Sequence, residues 1–169
     1  MNKILDKEKI ILKIDKVLEC SEIESILSGL NEVTALIKKD ENFILKTYDK
    51  LDNESKESFS KILDYLDGAI YISQAIKKSD DINTFIELIS IGWTSETYSE
   101  YESFRTQKYR NPVICETTDL FTETQNESED QGFENINDFI EESYGSLDIF
   151  FISTVKDYYL ENIKELIND

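Results

Sequence analysis

Histidine is absent from this sequence, and cysteine, proline and glycine are scarce. Without histidine the chain has no imidazole general base, no Ser–His or Cys–His nucleophile pair and no histidine-containing metal site. Two cysteines are too few for a four-thiolate zinc site or a disulfide framework, and they favour a reducing compartment. The five scattered glycines form neither a phosphate-binding loop nor a dinucleotide-binding motif. We therefore expect a protein that is not an enzyme and that uses no cofactor and no metal.

The shortage of turn residues also bears on the fold class. All-β sandwiches and barrels need frequent glycine and proline at their turns, whereas this chain has one proline, Pro112. A chain of 169 residues is about the size of one domain, and its 40% hydrophobic content is enough for a conventional core. We predict an all-α fold in which residues 1–169 form a single domain of about six to eight helices.

Apolar residues recur at helical spacing in most of the chain. The pattern predicts a first helix through Ile10 and Ile14, a second opened by a capping box at Ser21 and Glu24, and a longest helix that begins at Asn53. Further helices are predicted from about Ile82 to Ile91, through Tyr98, Tyr101 and Phe104, and from Ile136 to the C-terminal end. The segment 111–134 is rich in Thr, Glu, Asn, Asp and Ser, and a helix is disfavoured in the residue before Pro112. We therefore predict an acidic, loop-rich segment near 111–134.

Cations are few, and their distribution is uneven. The chain has 18 Lys and Arg against 36 Asp and Glu, for a formal net charge of −18. Residues 1–80 contain 13 basic and 16 acidic residues, whereas residues 81–169 contain 5 and 20. Between Arg110 and Lys156 there is no cation at all. Such a charge disfavours direct binding to nucleic acid and to anionic membranes and attracts basic partners.

The strongest candidate for a binding surface is the acidic tract between residues 116 and 142, because a surface that serves solubility alone usually mixes both signs. Asp138, Glu141 and Glu142 are predicted to share one helix face, opposite Phe139 and Ile140. Exposed aromatic residues are favoured anchors at protein interfaces. The candidate partner-binding residues are Glu116, Asp119, Glu123, Glu127, Glu129, Asp130, Glu134, Asp138, Glu141, Glu142, Trp93, Tyr98 and Tyr101.

Simpler interpretations stay open for each of these features. The acidic tract can be a solvated surface, and tyrosines at helical spacing often form the edge of a core. Residues 127–138 have partial EF-hand spacing around Gly132, but Gln131 and Asp138 occupy positions at which calcium loops use other residues, so an acidic loop is favoured. A pair of carboxylates can also hydrolyse glycosides without histidine, which keeps a carboxylate hydrolase among the alternatives.

In composition and size the chain is similar to bacterial immunity proteins that inhibit nuclease toxins, although no family motif is present. This likeness predicts a cytoplasmic inhibitor that covers the basic surface of a toxin. The alternatives are a nucleic-acid mimic directed at a DNA-binding defence or phage protein, and a helical scaffold or adaptor. No apolar run is long enough to cross a bilayer, and the N-terminus does not resemble a secretory signal, so we expect no membrane association.

Overall fold

The computed structural model describes residues 5–39, 46, 48–79, 81, 83–85 and 111–168. Within these ranges the chain forms helices and no strand, which confirms the predicted all-α bundle. The extent of the single domain, 1–169, stays a prediction. The helices are α1 (Lys7–Leu18), α2 (Ile23–Lys38), α3 (Asn53–Lys77), α4 (Pro112–Asp130), α5 (Ile136–Tyr144), α6 (Leu147–Thr154), a π-helical segment (Val155–Leu160) and α7 (Glu161–Asn168). In the described part of the chain, no helix has both the length and the apolar character to cross a membrane.

The bundle is built around α3, which packs against α2, α4, the π-helical segment and α7. The predicted start of this helix at Asn53 is confirmed, and Asp52 caps it by accepting a hydrogen bond from the Ser55 N–H at 2.8 Å. A largely buried ion pair between Lys38 and Asp67, 2.9 Å apart, joins α2 to α3. The C-terminal helix closes the bundle, because Lys164 of α7 binds Asp15 of α1 at 2.6 Å.

The start of α2 differs from the prediction. Glu22 occupies the N-cap position and makes no side-chain hydrogen bond there, so the expected capping box of Ser21 and Glu24 is wrong. The carboxylate of Glu24 lies 3.3 Å from the Lys77 ammonium on α3. Glu24 thus forms an ion pair with another helix and does not cap its own helix.

The prediction of a loop-rich segment near 111–134 is wrong, because residues 112–130 form helix α4. Pro112 begins this helix; proline suits the first helical position, where its missing N–H has no intrahelical partner. Asn111 holds the start in place: its Oδ1 accepts from the Val113 N–H at 2.9 Å and its Nδ2 donates to the Asp64 carbonyl on α3 at 2.9 Å. The end is a Schellman motif, in which Phe133 N–H donates to the Ser128 carbonyl and Gly132, at φ 84°, follows the helix.

The inner face of α4 explains why its apolar pattern is weak in sequence. Among the side chains of α4 that the structure describes, the buried ones are Val113, Thr117, Phe121, Thr124 and Ser128, and three of these five carry hydroxyls. The Thr117 hydroxyl donates to the Val113 carbonyl and the Thr124 hydroxyl to the Leu120 carbonyl, each at 2.9 Å. Bonds of this kind to the preceding turn satisfy a buried hydroxyl inside the helix itself. The helix can therefore bury these hydroxyl-bearing side chains together with the apolar Val113 and Phe121.

The π-helical segment keeps the C-terminal stripe of buried residues on the core. In an α-helix of 3.6 residues per turn, each four-residue step overshoots a full turn by about 40°. A π-helical turn holds more residues, so it reduces this overshoot in the middle of the run. The buried residues spaced four apart are Phe151, Val155, Tyr159, Ile163 and Ile167.

The helices α1 and α2 cross so closely at Gly29 that a side chain does not fit there. A Cβ at this position would lie 2.3 Å from Cγ2 of Val17, and a β-branched side chain in a helix has little rotamer freedom with which to move away. We expect Gly29→Ala to lower the free energy of unfolding by about 1 kcal/mol, since overpacking outweighs the gain in helix propensity. In a Val17→Ala background the same change is expected to stabilise. Urea unfolding of the four variants measures both effects; an equal effect of Gly29→Ala in the two backgrounds would contradict this account.

Candidate acidic interaction surface

One face of α4 carries a continuous line of carboxylates, which we call the acidic row. Successive members are three or four residues apart, so they are neighbours on the helix surface and fall within about 80° of arc. With a rise of 1.5 Å per residue, five charges extend over about 21 Å of helix axis. All five side chains are exposed. The row consists of Glu116, Asp119, Glu123, Glu127 and Asp130.

The other five predicted carboxylates are also exposed but occupy two further places. Glu129 and Glu134 border a cleft between the end of α4 and the start of α5. Asp138, Glu141 and Glu142 lie on α5, where Phe139 and Ile140 are buried, so the predicted separation of the two faces is confirmed. The helix α5 packs against α4, and the rings of Phe133 and Phe139 meet at this junction with centroids 5.4 Å apart.

Five lysines of the described residues form ion pairs, and all five bind carboxylates outside the acidic tract. In the described ranges, none of the ten carboxylates of the acidic tract forms an ion pair. Of the five cations in the second half of the chain, Arg105, Lys108 and Arg110 lie outside the described residues. Lys164 binds Asp15 of α1, and Lys156 forms no ion pair with the described residues. The ion pairs present are Lys13–Glu32, Lys38–Asp67, Lys61–Glu57, Lys77–Glu24 and Lys164–Asp15.

Two exposed apolar side chains near the end of α5 were not predicted. Tyr144 is 46% exposed and Ile149 is 54% exposed, on either side of the turn at Gly145. Tyr144 follows Glu141 by three residues, so the ring and the carboxylate are neighbours on the helix. The exposure of Tyr144 cannot be predicted from its spacing. It is four residues after the buried Ile140, and that spacing would place it on the buried face of the helix. The predicted anchors Trp93, Tyr98 and Tyr101 lie outside the described residues.

Two consecutive tyrosines of the π-helical segment hold the first half of α4 in place. The Tyr158 hydroxyl donates to Oε2 of Glu116 at 2.5 Å, and the Tyr159 and Thr117 hydroxyls share a hydrogen bond of 2.5 Å. Burial raises the pKa of both tyrosines, and the bond to Glu116 raises that of Tyr158 further. The first carboxylate of the acidic row is thus oriented by a neutral phenol.

These tyrosines predict a loss of stability at alkaline pH. Their folded-state pKa lies above the unfolded value of about 10, so their stabilising effect is complete below pH 10 and is lost as the pH rises above it. We expect the free energy of unfolding, measured in urea between pH 8 and 11.5, to fall less steeply in Tyr159→Phe than in the wild type. Tyr144→Phe, which changes an exposed ring, is the control. Parallel pH profiles for Tyr159→Phe and the wild type would contradict the prediction.

The geometry of residues 127–138 does not match a calcium-binding loop. Glu127 to Asp130 are helical, and Gly132 serves as the residue that ends α4. Over the described ranges, no group of three or more Asp, Glu or Cys side chains is arranged to hold a metal ion.

Comparison with known proteins gives no match: no family model, no curated protein and no solved structure matches this chain significantly.

Proposed function

We propose that this protein inhibits a basic protein, such as a nuclease toxin, by covering its active-site or nucleic-acid-binding surface with the acidic row and the carboxylates of α5. In this proposal it is a bacterial, cytoplasmic protein of the immunity type. The observation that carries the proposal is the acidic row: five exposed carboxylates on one helix face with no cation paired to them among the described residues.

The arrangement suits recognition of a positively charged surface. Carboxylates in a row can occupy the sites at which a nuclease binds phosphates, and their summed potential accelerates the encounter with a basic partner. The exposed Tyr144, three residues after Glu141, and the exposed Ile149 beyond Gly145 offer apolar area, and buried apolar anchors slow dissociation in protein complexes.

The row is also unfavourable for the helix that bears it. Like charges three or four residues apart repel one another. Glu127, Glu129 and Asp130 stand at the C-terminal end of α4, where the helix dipole favours cations, and the last turn contains no basic residue. An arrangement that costs stability supports selection for binding rather than for folding.

A nucleic-acid mimic is the second candidate, and the arrangement of the carboxylates in one regular line supports it. One DNA strand carries a charge per 3.4 Å of axis, and the row carries a charge per about 5 Å. A mimic would compete with duplex DNA for several unrelated DNA-binding proteins, whereas an inhibitor would bind one partner and leave the others unaffected.

The test compares two variants of equal charge. The row variant replaces its carboxylates by amides: Glu116→Gln, Asp119→Asn, Glu123→Gln, Glu127→Gln and Asp130→Asn. The control variant makes the same change at five exposed carboxylates of the first half: Glu8→Gln, Glu19→Gln, Glu22→Gln, Asp49→Asn and Glu54→Gln. All three proteins are used for affinity capture from native lysate at low and high salt, and the captured protein is purified and assayed for nuclease activity with each of them.

The proposal requires a basic protein that the wild type and the control variant retain at low salt and release at high salt, that the row variant fails to retain, and whose activity the wild type abolishes. Equal retention by the row variant would point to a scaffold whose acidity serves solubility, and the inhibitor proposal would be wrong. Retention without any effect on the partner's activity would also contradict it.

A further inference from the structure

The helix α6 is apolar on two opposite sides. Five of its eight residues are Leu, Ile or Phe, and Phe150 and Phe151 are buried on the side that faces the core. On the other side, Ile149 is 54% exposed, and Ile152, three residues later on the same surface, is half-buried. A helix that is apolar all round is ordinarily covered all round. The outer side of α6 thus lacks, within the described part of the chain, the cover that its composition calls for.

Tyr144 extends this surface across the turn at Gly145. Its half-exposed ring packs against Phe150 with centroids 4.7 Å apart. Cδ1 of Ile149 lies 3.7 Å from the place that a Cβ on Gly145 would occupy, so Ile149 lies against the turn that follows Tyr144. We call Tyr144, Ile149 and Ile152 the corner patch. Leu12 is the other large apolar side chain of comparable exposure among the described residues, so two of these three side chains meet at one turn.

Carboxylates flank the corner patch. Glu141 precedes Tyr144 by three residues and Asp148 precedes Ile152 by four, so each carboxylate is a neighbour of the patch on its helix, and both are exposed. Residues 141–157 contain four carboxylates and one lysine. An apolar centre with a charged rim is the usual anatomy of a protein interface. The negative rim is complementary to a partner surface that is apolar at its centre and basic around it.

The size and the charge of the corner patch disfavour a second copy of this chain as its cover. Two half-exposed side chains of about 150–250 Å² each leave roughly 200 Å² of apolar surface, about a quarter of what each partner buries in a standard interface. A second copy would bring its own carboxylates to the contact, and like charges repel. A basic partner supplies the opposite charge and extends the contact to the carboxylates beside the patch.

We propose that the corner patch is the apolar anchor of the interface with the basic partner, and that it binds an apolar side chain flanked by lysine or arginine. The inference rests on the proposed function and names the chemistry of the partner segment. In protein complexes a few central apolar contacts determine how slowly the partners separate, whereas charges at the rim determine the association rate and the salt dependence. The two contributions can therefore be measured separately.

The first test changes the patch without changing its charge. We expect Ile149→Gln to weaken binding to the purified captured partner at least about tenfold, through faster dissociation and with the salt dependence unchanged. Glu141→Gln with Asp148→Asn should instead slow association and reduce the salt dependence. Surface plasmon resonance at several salt concentrations measures both rates.

The matched control is Leu12→Gln, which makes the same kind of change at an exposed side chain of α1. Residues 8–16 contain three lysines and two carboxylates, so Leu12 lacks the negative rim, and its replacement should leave both rates unchanged. Ile149→Leu keeps the apolar area and should retain most of the affinity. Urea unfolding shows whether each variant is folded. Equal affinity of Ile149→Gln and Leu12→Gln for the partner would overturn the inference.

A photo-cross-link identifies what covers the patch. Tyr144→p-benzoylphenylalanine places a reactive ring at the edge of the patch in the full chain. A cross-link to a partner segment in which lysine or arginine lies within four residues of an apolar residue supports the inference. A cross-link within the chain or to a second copy of it overturns the inference, as does a dimer in sedimentation equilibrium that Ile149→Gln dissociates.

The row variant separates this inference from the proposed function. If the row variant loses the partner and Ile149→Gln keeps it, the inference fails and the proposed function stands. If Ile149→Gln loses the partner and the row variant keeps it, the corner patch stands as the anchor and the role of the acidic row is wrong. Loss in both variants supports both statements, and loss in neither overturns both.

Discussion

Neutralising the acidic row is expected to weaken binding to the basic partner by about 10²–10³-fold and, at the same time, to stabilise the protein. The loss follows from five interfacial charges worth about 0.5–1 kcal/mol each, since 1.4 kcal/mol corresponds to a tenfold change in affinity. Part of it should appear as slower association, because long-range attraction is lost with the charges. The dependence of affinity on salt should weaken accordingly.

The gain in stability has a different source. The acidic row contains four neighbouring pairs of like charge, and each such pair destabilises a helix by about 0.2–0.5 kcal/mol. Removing the charges at the end of α4 also relieves an unfavourable interaction with the helix dipole. We expect the free energy of unfolding of the row variant to rise by about 1–2 kcal/mol, measured by urea denaturation at low salt.

The control variant should differ from the row variant in both measurements. Glu8 and Glu54 lie in the first turns of α1 and α3, where carboxylates are favourable, so their neutralisation should lower stability slightly. Its affinity for the partner should stay within a few-fold of the wild type. If the row variant proved less stable than the control, the account of α4 as a helix strained by its own charges would be wrong.

The predictable part of the fold is the part with large apolar side chains at helical spacing. The stripe of Ile10, Ile14 and Val17 in α1 and the stripe of Phe59, Ile62 and Leu66 in α3 are buried as their spacing predicts. The same pattern predicted α5 and the helical run after Gly145. The π-helical segment was not predicted. Apolar residues that recur every four positions also fit an α-helix when only a short stretch of sequence is considered.

The helix α4 shows where this reasoning fails. Its inner face relies on hydroxyls that bond to the preceding turn, and composition counts these residues as polar. Two local signals were nevertheless present: Asn111 before Pro112, which is a favoured helix start, and Gly132, which is a favoured residue after a helix end. The carboxylates of the acidic row could be listed from the sequence. Their alignment on one face requires a helix, and it was not predicted because the segment was expected to be a loop.

A second large effect, on stability, is expected from replacing Phe121, the fully buried aromatic residue of α4. The Phe121 ring packs against Phe85, Phe150 and Phe151, with centroid separations of 4.8, 5.3 and 6.5 Å. We expect Phe121→Ala to lower the free energy of unfolding by about 3–5 kcal/mol, because it removes the ring and leaves a cavity among three others. Urea unfolding followed by circular dichroism measures the change. Leu12→Ala, which truncates a side chain that is 60% exposed, is the control and should cost less than about 0.5 kcal/mol.

This experiment decides between a docked helix and an acidic loop at residues 112–130. In a loop the Phe121 ring would be largely solvated, and its removal would cost no more than that of Leu12. In the structure, the ring fixes the inner face of α4 on the core and thereby determines the direction in which Glu123 and Glu127 point. Phe121→Leu keeps apolar volume at this site and should retain much of the stability. If partner binding follows stability across Phe121→Leu and Phe121→Ala, the acidic row acts as a surface held rigid by the core rather than as a flexible chain of charges.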